Sequence, residues 1–237
     1  VAADLLTDQA RRGVVGLLGN GDAKIALIEV STWADDIRNH RPDSRHWHYV
    51  NIPISTPVYD AARDCPAGDC VVGAIDRMFV ILADQTLIPA VRAEALRWLV
   101  HFVADVHQPL HAGDNGDRGG NDVKVRIRGH TSKLHAWWDA DVIQAMGDRD
   151  QLVARLEAKL KVSTAKNWAA GTAANWATES AEISRSHVYG GWLTGTGPAT
   201  ETIVLPDEYV TQAASTAEQQ LAKAAIRLAT VLNAALR

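Results

Sequence analysis

The sequence predicts a mainly α-helical protein, a single domain over residues 1–237 with one short β-hairpin. Three observations carry this expectation. Apolar residues recur at intervals of three and four through most of the chain, the period of a helix buried on one face. Period-two alternation, the strand signature, is confined to Val123-Lys124-Val125-Arg126-Ile127-Arg128. Clusters of Gly, Asn, Asp and Pro cut the remainder into pieces of helical length.

Residues 1–18 read as one helix, with Leu5, Leu6, Val14, Leu17 and Leu18 apolar. Gly19-Asn20-Gly21-Asp22 ends it, and Asp22 is placed to cap a second helix over 23–38. Pro42, Pro53, Pro57 and Pro66 make 39–67 a long ordered loop. A third helix covers 69–85, and a fourth starts at Pro89 and runs to Val106, before Pro109. GDNGDRGG at 113–120 is a flexible loop, and Gly129-His130-Thr131 turns the 123–128 strand into the hairpin. Further helices are expected at 133–146, 149–161, 166–187 and 207–235, with a loop at 190–198.

At 47% hydrophobic and 22% charged residues, the composition is that of an ordinary globular protein. No run of apolar residues is long enough to read as a spanning helix. A net charge of -4 excludes a protein that holds nucleic acid through bulk positive charge. It leaves room for one that grips nucleic acid locally, through metals. Cys65 and Cys70 in CPAGDC read as a disulfide closing a short loop, with two free thiols as the other reading. A disulfide implies an oxidising compartment.

Five of the nine histidines, 101, 107, 111, 130 and 135, lie within one short stretch. His101 and Asp105 are four residues apart on a helix, so they face one point. His135 and Asp139 repeat the step on another helix. An imidazole and a carboxylate so spaced make half of a zinc site. A lone pair of this kind is more often an intrahelical hydrogen bond. Two pairs, with His111 between them after Pro109, point to metal. Trp98-Leu99-Val100 beside His101 marks that face as buried, and buried imidazoles and carboxylates need partners. Asp35 and Asp36 are read at a helix C-terminus, where a cation, or Arg38, offsets the dipole.

These segments together resemble one family. Trp33-Ala34-Asp35, His48-Tyr49-Val50-Asn51, HFVADVHQPLH (101–111), GGND (119–122), LHAWWD (134–139) and Trp176-Ala177-Thr178-Glu179-Ser180 stand in the order found in the single-strand-specific zinc nucleases. This is the nuclease S-one/P-one family, related in fold to bacterial zinc phospholipase C, and the resemblance covers nearly the whole chain. It implies a helical fold of the zinc phospholipase C/nuclease type with three zinc ions in a cleft. Asp35, His48, His101 and Asp105 then look like ligands of the first zinc, and His111, His135 and Asp139 like those of the second. Asp105 also bridges to the third zinc, whose other ligands belong to a WGxxGH opening. The sequence instead begins at Val1 inside a helical pattern. The expectation is that the native N-terminal segment is missing, which puts the third site in doubt.

The resemblance implies a secreted or periplasmic endonuclease and 3′-nucleotidase that cuts single-stranded DNA and RNA to 5′-phosphates. The alternatives are a phospholipase C-like phosphodiesterase and a shortened relative that binds zinc or nucleotides with little activity. Asp35 and Asp105 are the catalytic candidates. Asn51 joins them, although it stands where fungal members often carry an acid. Asp36, Asn121 and Asp122 are candidates for orienting the metal ligands. Lys124, Arg126 and Arg128, with Lys133 nearby, form a basic stripe suited to substrate phosphates, an ordinary solvated strand face being the other reading. Asn121 joins them as a substrate contact, and Tyr49 or Tyr59 offers a ring for base stacking. Trp98, Trp137 and Trp138 read as packing.

Overall fold

The computed structural model of the chain describes residues 1–160, 165–193 and 195–237, and 63% of it is helical, as the sequence predicts. A 3-10 turn (Ala2–Leu5) precedes α1 (Asp8–Leu18), where one helix was expected. Leu6 is extended and the Thr7 hydroxyl accepts from Ala10 N, so a cap interrupts the apolar spacing. Asp22 caps α2 (Ala23–Glu29) as expected, but that helix stops well short of residue 38. The chain restarts as α3 (Trp33–Ile37). Asp35 and Asp36 therefore lie in the first turn of a short helix, so the dipole gives no reason for a cation there.

The proline-rich stretch holds more order than a loop. It contains a 3-10 turn (Pro42–His48), β1 (Ile52–Pro53), α4 (Ala61–Asp64) and a second 3-10 turn (Pro66–Gly68). Cys65 and Cys70 are bonded to each other. α5 (Val71–Ala83) and α6 (Pro89–Asp105) follow close to their predicted limits. β2 (Gly113–Asp114) pairs in parallel with β1, tying the loop after α6 back to residue 52.

β3 (Lys124–Ile127) and β4 (His130–Lys133) form the predicted hairpin. Its turn residues are Arg128 and Gly129, both at positive φ (48° and 83°), so His130 and Thr131 belong to the strand. β5 (Ile203–Leu205), which alternation did not reveal, completes the order β4-β3-β5. The helix expected at 133–146 is α7 (Leu134–Ala136), a π-helical turn (Trp137–Asp141) and α8 (Val142–Ala145). α9 (Arg149–Leu160) matches its expected helix, whose last residue, 161, lies outside the described residues. The helix expected at 166–187 is two, α10 (Ala165–Trp168) and α11 (Ala173–Ile183), continued by a π turn (Ser184–Tyr189). Gly171 at φ 95° breaks it, and Thr172 and Asn175 recap it with a reciprocal capping box. α12 (Asp207–Ala235) matches its prediction.

Two main apolar clusters support this framework. The larger gathers buried residues of α1, α2, α5, α6, α11 and the end of α12. The second gathers β3, the π turn at 137–141, Tyr189, β5 and the start of α12. Val106 belongs to the first cluster and Leu110 to the second, so the turn leaving α6 crosses between them. That crossing is where the histidines meet.

Candidate metal centre

α6 delivers His101 and Asp105 from one face. Its other faces are buried by Trp98, Leu99, Phe102 and Val103, so the helix cannot rotate. His48 comes from the 3-10 turn before β1 and is buried against aromatic rings. It stands edge-on to Phe102 (centroids 5.2 Å apart) and His101 (5.0 Å), while Phe102 stacks on Trp98. His48 Nδ1 and His101 Nε2 each lie 3.1 Å from Asp105 Oδ2 and 3.6 Å from Asp35 Oδ1. Four donors from three elements thus converge.

The second group is His111, His135 and Asp139. Its two imidazoles stack nearly parallel, 5.0 Å apart. Asp139 Oδ1 is 3.2 Å from His111 Nε2, and Oδ2 is 3.4 Å from His135 Nε2. The π turn at 137–141 carries Asp139, and such turns recur at functional sites. Asp105 reaches this group too, with Oδ1 3.4 Å from His111 Nδ1. One carboxylate therefore belongs to the first group and touches the second through the His111 nitrogen turned away from Asp139.

Backbone carbonyls set the tautomers. Nδ1 of His101 donates to Ser31 O (2.8 Å), that of His111 to His48 O (3.0 Å), and that of His135 to Gly119 O (2.7 Å). Each leaves Nε2, with its lone pair, directed at the carboxylates. His48 is reversed: Nδ1 faces the site and Nε2 is buried without a partner. His101 Nε2 is also buried without a well-formed hydrogen bond, despite the carboxylate beside it. The orphaned His101 nitrogen faces the carboxylates and costs stability unless something accepts its lone pair, whereas the His48 orphan points away from them. Mixed imidazole and carboxylate donors, clustered in two groups within 4.8 Å, fit zinc.

The charges respond to this crowding. Burial pushes His101 down, but Asp105 more than offsets it, and the pKa rises to about 9. Burial pushes Asp105 up, and His111, His101 and His48 hold it well below the usual carboxylate range. For His111 burial is again outweighed, by Asp105 and Asp139, and the pKa rises. His135 goes down through burial and the neighbouring His111. A cation entering here displaces protons from His101 and His111.

The loop 113–122 is held firmly. Gly119 lies at φ 59°, and a Cβ there would sit 2.5 Å from Leu110 O, so only glycine can bring its carbonyl to His135. Asp114 Oδ1 accepts from Asp117 N and Gly119 N, and fully buried Asp117 accepts from Gly120 N and Tyr189 Oη. Burial pushes the Asp117 carboxyl up. The stretch read as flexible is therefore a braced scaffold.

Both groups open into a cleft of about 850 Å³. Tyr49, Asn51 and Asn121 line it, as do Arg38, Gln108 and Arg118. Lys124, Arg126 and Arg128 do not. Their side chains are exposed on the hairpin, and Arg128 pairs with Asp207 (2.6 Å). Tyr59 and Lys133 also lie off the cleft lining. Asp36 meets Thr32, and Asp122 holds Arg118, so neither orients a metal ligand. Asn121 Nδ2 donates to Arg118 O, bracing the loop rather than a histidine. That task falls to the carbonyls and to Gln108, which alternation and spacing could not single out. Arg118 carries one signal legible only in three dimensions, a non-glycine φ of 57°.

The sequence matches the S1/P1 Nuclease family over residues 1–237. The chain belongs to the S1/P1 nuclease family. It is 31% identical to Endonuclease 3 of Arabidopsis thaliana, across 87% of this chain and 76% of that protein. It is 28% identical to Nuclease P1 of Penicillium citrinum, across 98% and 93%. It is 32% identical to Nuclease S1 of Aspergillus oryzae, across 61% and 51%. Like the members of this family, the nuclease is a hydrolase of phosphodiester bonds. Among its described residues no helix is long and apolar enough to cross a membrane.

Proposed function

We propose that this nuclease is a secreted or periplasmic zinc endonuclease and 3′-nucleotidase, acting on single-stranded DNA and RNA to leave 5′-phosphates. The observation that carries the reading is the convergence of seven donors into two groups, joined by Asp105, on one side of an open cleft. Residues 1–237 are taken as one nuclease domain. Asp35, His48, His101 and Asp105 hold the first ion, and His111, His135 and Asp139 the second. Asp105 is the residue here that serves the third ion the resemblance implies. Zinc held at these groups would supply Lewis-acid polarisation of a phosphoryl oxygen and lower the pKa of a water enough to provide hydroxide at neutral pH.

The chain's own residues do the rest. Arg38 and Arg118 are the cleft's cations and attract the phosphate backbone, although the whole molecule is acidic. Tyr49, half-buried at the cleft, offers a ring on which an unpaired base stacks. Asn51 beside it presents an amide that donates and accepts, suited to a base edge more than to proton abstraction. Single strands fit such a site because their bases swing free of a duplex. The Cys65–Cys70 bond supports an oxidising compartment.

The test strips the protein of metal, reloads it with zinc, and compares substrates. Single-stranded oligonucleotides should be cut to 5′-phosphates and a 3′-mononucleotide dephosphorylated, with duplex much slower. Hydrolysis of a short-chain phosphatidylcholine with intact oligonucleotides would sink the reading.

A further inference from the structure

Gln108, itself no ligand, touches three of the candidate metal ligands. Its backbone N–H donates to Asp105 O (2.9 Å), and its carbonyl accepts from His111 N–H (2.9 Å). Its side-chain Oε1 accepts from Leu110 N–H (2.6 Å), and Nε2 donates to Asp139 Oδ1 (2.8 Å). The amide cannot be flipped. Leu110 N–H can only donate, so the atom it meets is the oxygen, and the nitrogen must face Asp139. One residue thus links Asp105, a ligand of the first group, to two ligands of the second.

The turn that carries Gln108 is pinned from behind as well. His107 is buried, its Nδ1 donates to Val103 O, and its Nε2 accepts from Arg227 (2.8 Å). Its carbonyl accepts from Gln220 Nε2 (3.0 Å) on α12. Arg227 is held in turn by Glu179, within the Trp176–Ser180 signature. With its main chain fixed, Gln108 has little freedom, and its amide acts as a stop for the Asp139 carboxylate. Asp139 needs one, because it is exposed and sits on the wider π turn.

We propose that Gln108 is a positioning residue that registers the second metal group against the first by holding Asp139. The inference rests on the zinc reading above. Two roles must be separated, since Gln108 also caps the turn through Leu110. Gln108→Glu keeps an oxygen for Leu110 N–H, removes the N–H given to Asp139, and sets a carboxylate against it. Gln108→Ala removes both contacts.

The experiment measures stepwise zinc affinity of the metal-stripped protein by calorimetry with a competing chelator, beside the melting temperature of each variant. In both variants the second-group affinity should fall about 10–100-fold, the range typical of outer partners of metal ligands. First-group affinity should stay within about twofold, and Gln108→Glu should melt close to wild type. A Gln108→Glu protein with wild-type or tighter second-group affinity would show that the contact to Asp139 is incidental and overturn the proposal. Equal losses at both groups would also overturn it, by making Gln108 a general fold residue. If wild type itself takes up no zinc, the functional reading fails first, and that result is distinct from either.

Discussion

The His48–His101 group is walled by aromatic rings, whereas the His111–His135 group hangs on backbone carbonyls and one glutamine. In the first, both imidazoles are buried, and Trp98 and Phe102 fill the space behind them. In the second, the histidines are half-buried and Asp139 is exposed. The first group is positioned by the same packing that folds the protein. The second depends on a braced loop, a π turn and the turn at 106–111. Packing resists displacement in every direction, whereas hydrogen bonds hold a ligand along one line. The second group should therefore be the more adjustable, and the more easily emptied.

Asp105→Ala offers the strongest way to break that distinction, because Asp105 touches both groups. Zinc content should drop at both, and turnover should fall by more than the ~100-fold that outer partners carry. A variant keeping wild-type metal content would show that Asp105 is not a metal ligand. Next comes a paired substitution that sharpens the contrast. Phe102→Ala should cost about 3–5 kcal/mol of stability by denaturant titration, since it empties a fully buried ring site. His135→Ala loses one hydrogen bond to Gly119 O and should cost about 1 kcal/mol in the metal-free protein yet remove the second zinc. Similar stability losses in both would erase the difference between the groups.

The pH response is a smaller effect with a definite sign. In the metal-free chain His101 is raised above 6.5 to about 9. The protonated His101–Asp105 pair therefore stabilises fully below pH 6.5, and that contribution is lost as pH rises through about 9. The melting temperature of the stripped protein should fall by a few degrees over this window. Zinc binding runs the other way, since its ligands must shed protons. The stabilisation by zinc should thus widen from pH 6 to pH 9. A gap that narrows instead would contradict the assignment of His101. The mildest expectation concerns Arg118→Gly. Relief of a left-handed φ should leave stability unchanged or raise it by up to about 1 kcal/mol. The KM for oligonucleotides should rise several-fold, because a cleft cation is gone.

Much of the site was legible because helices translate sequence spacing into direction. His101 with Asp105, and His135 with Asp139, read as pairs from the four-residue step alone. Asp35 and His48 carried no such signal and came from the resemblance. The stripe of Lys124, Arg126 and Arg128 was real as a strand face, but spacing says which side a residue takes, not what that side looks upon. The helix expected at 166–187 ran through Gly171, because apolar period survives a break that one positive φ makes. The loop at 113–120 looked flexible from its glycines, and only the carboxylates of Asp114 and Asp117 reveal that those glycines serve tight turns.

By itself the sequence determined the helical class, the long helices α5, α6 and α12, and the residue types able to hold zinc. These are properties of local period and of side-chain chemistry, which neighbours in the chain suffice to specify. Only the tertiary structure decided that one carboxylate would touch both groups, that backbone carbonyls would fix the imidazole tautomers, and that Gln108 would reach Asp139. Those contacts join segments far apart in the chain, and their distances are set by how the two apolar clusters pack against one another.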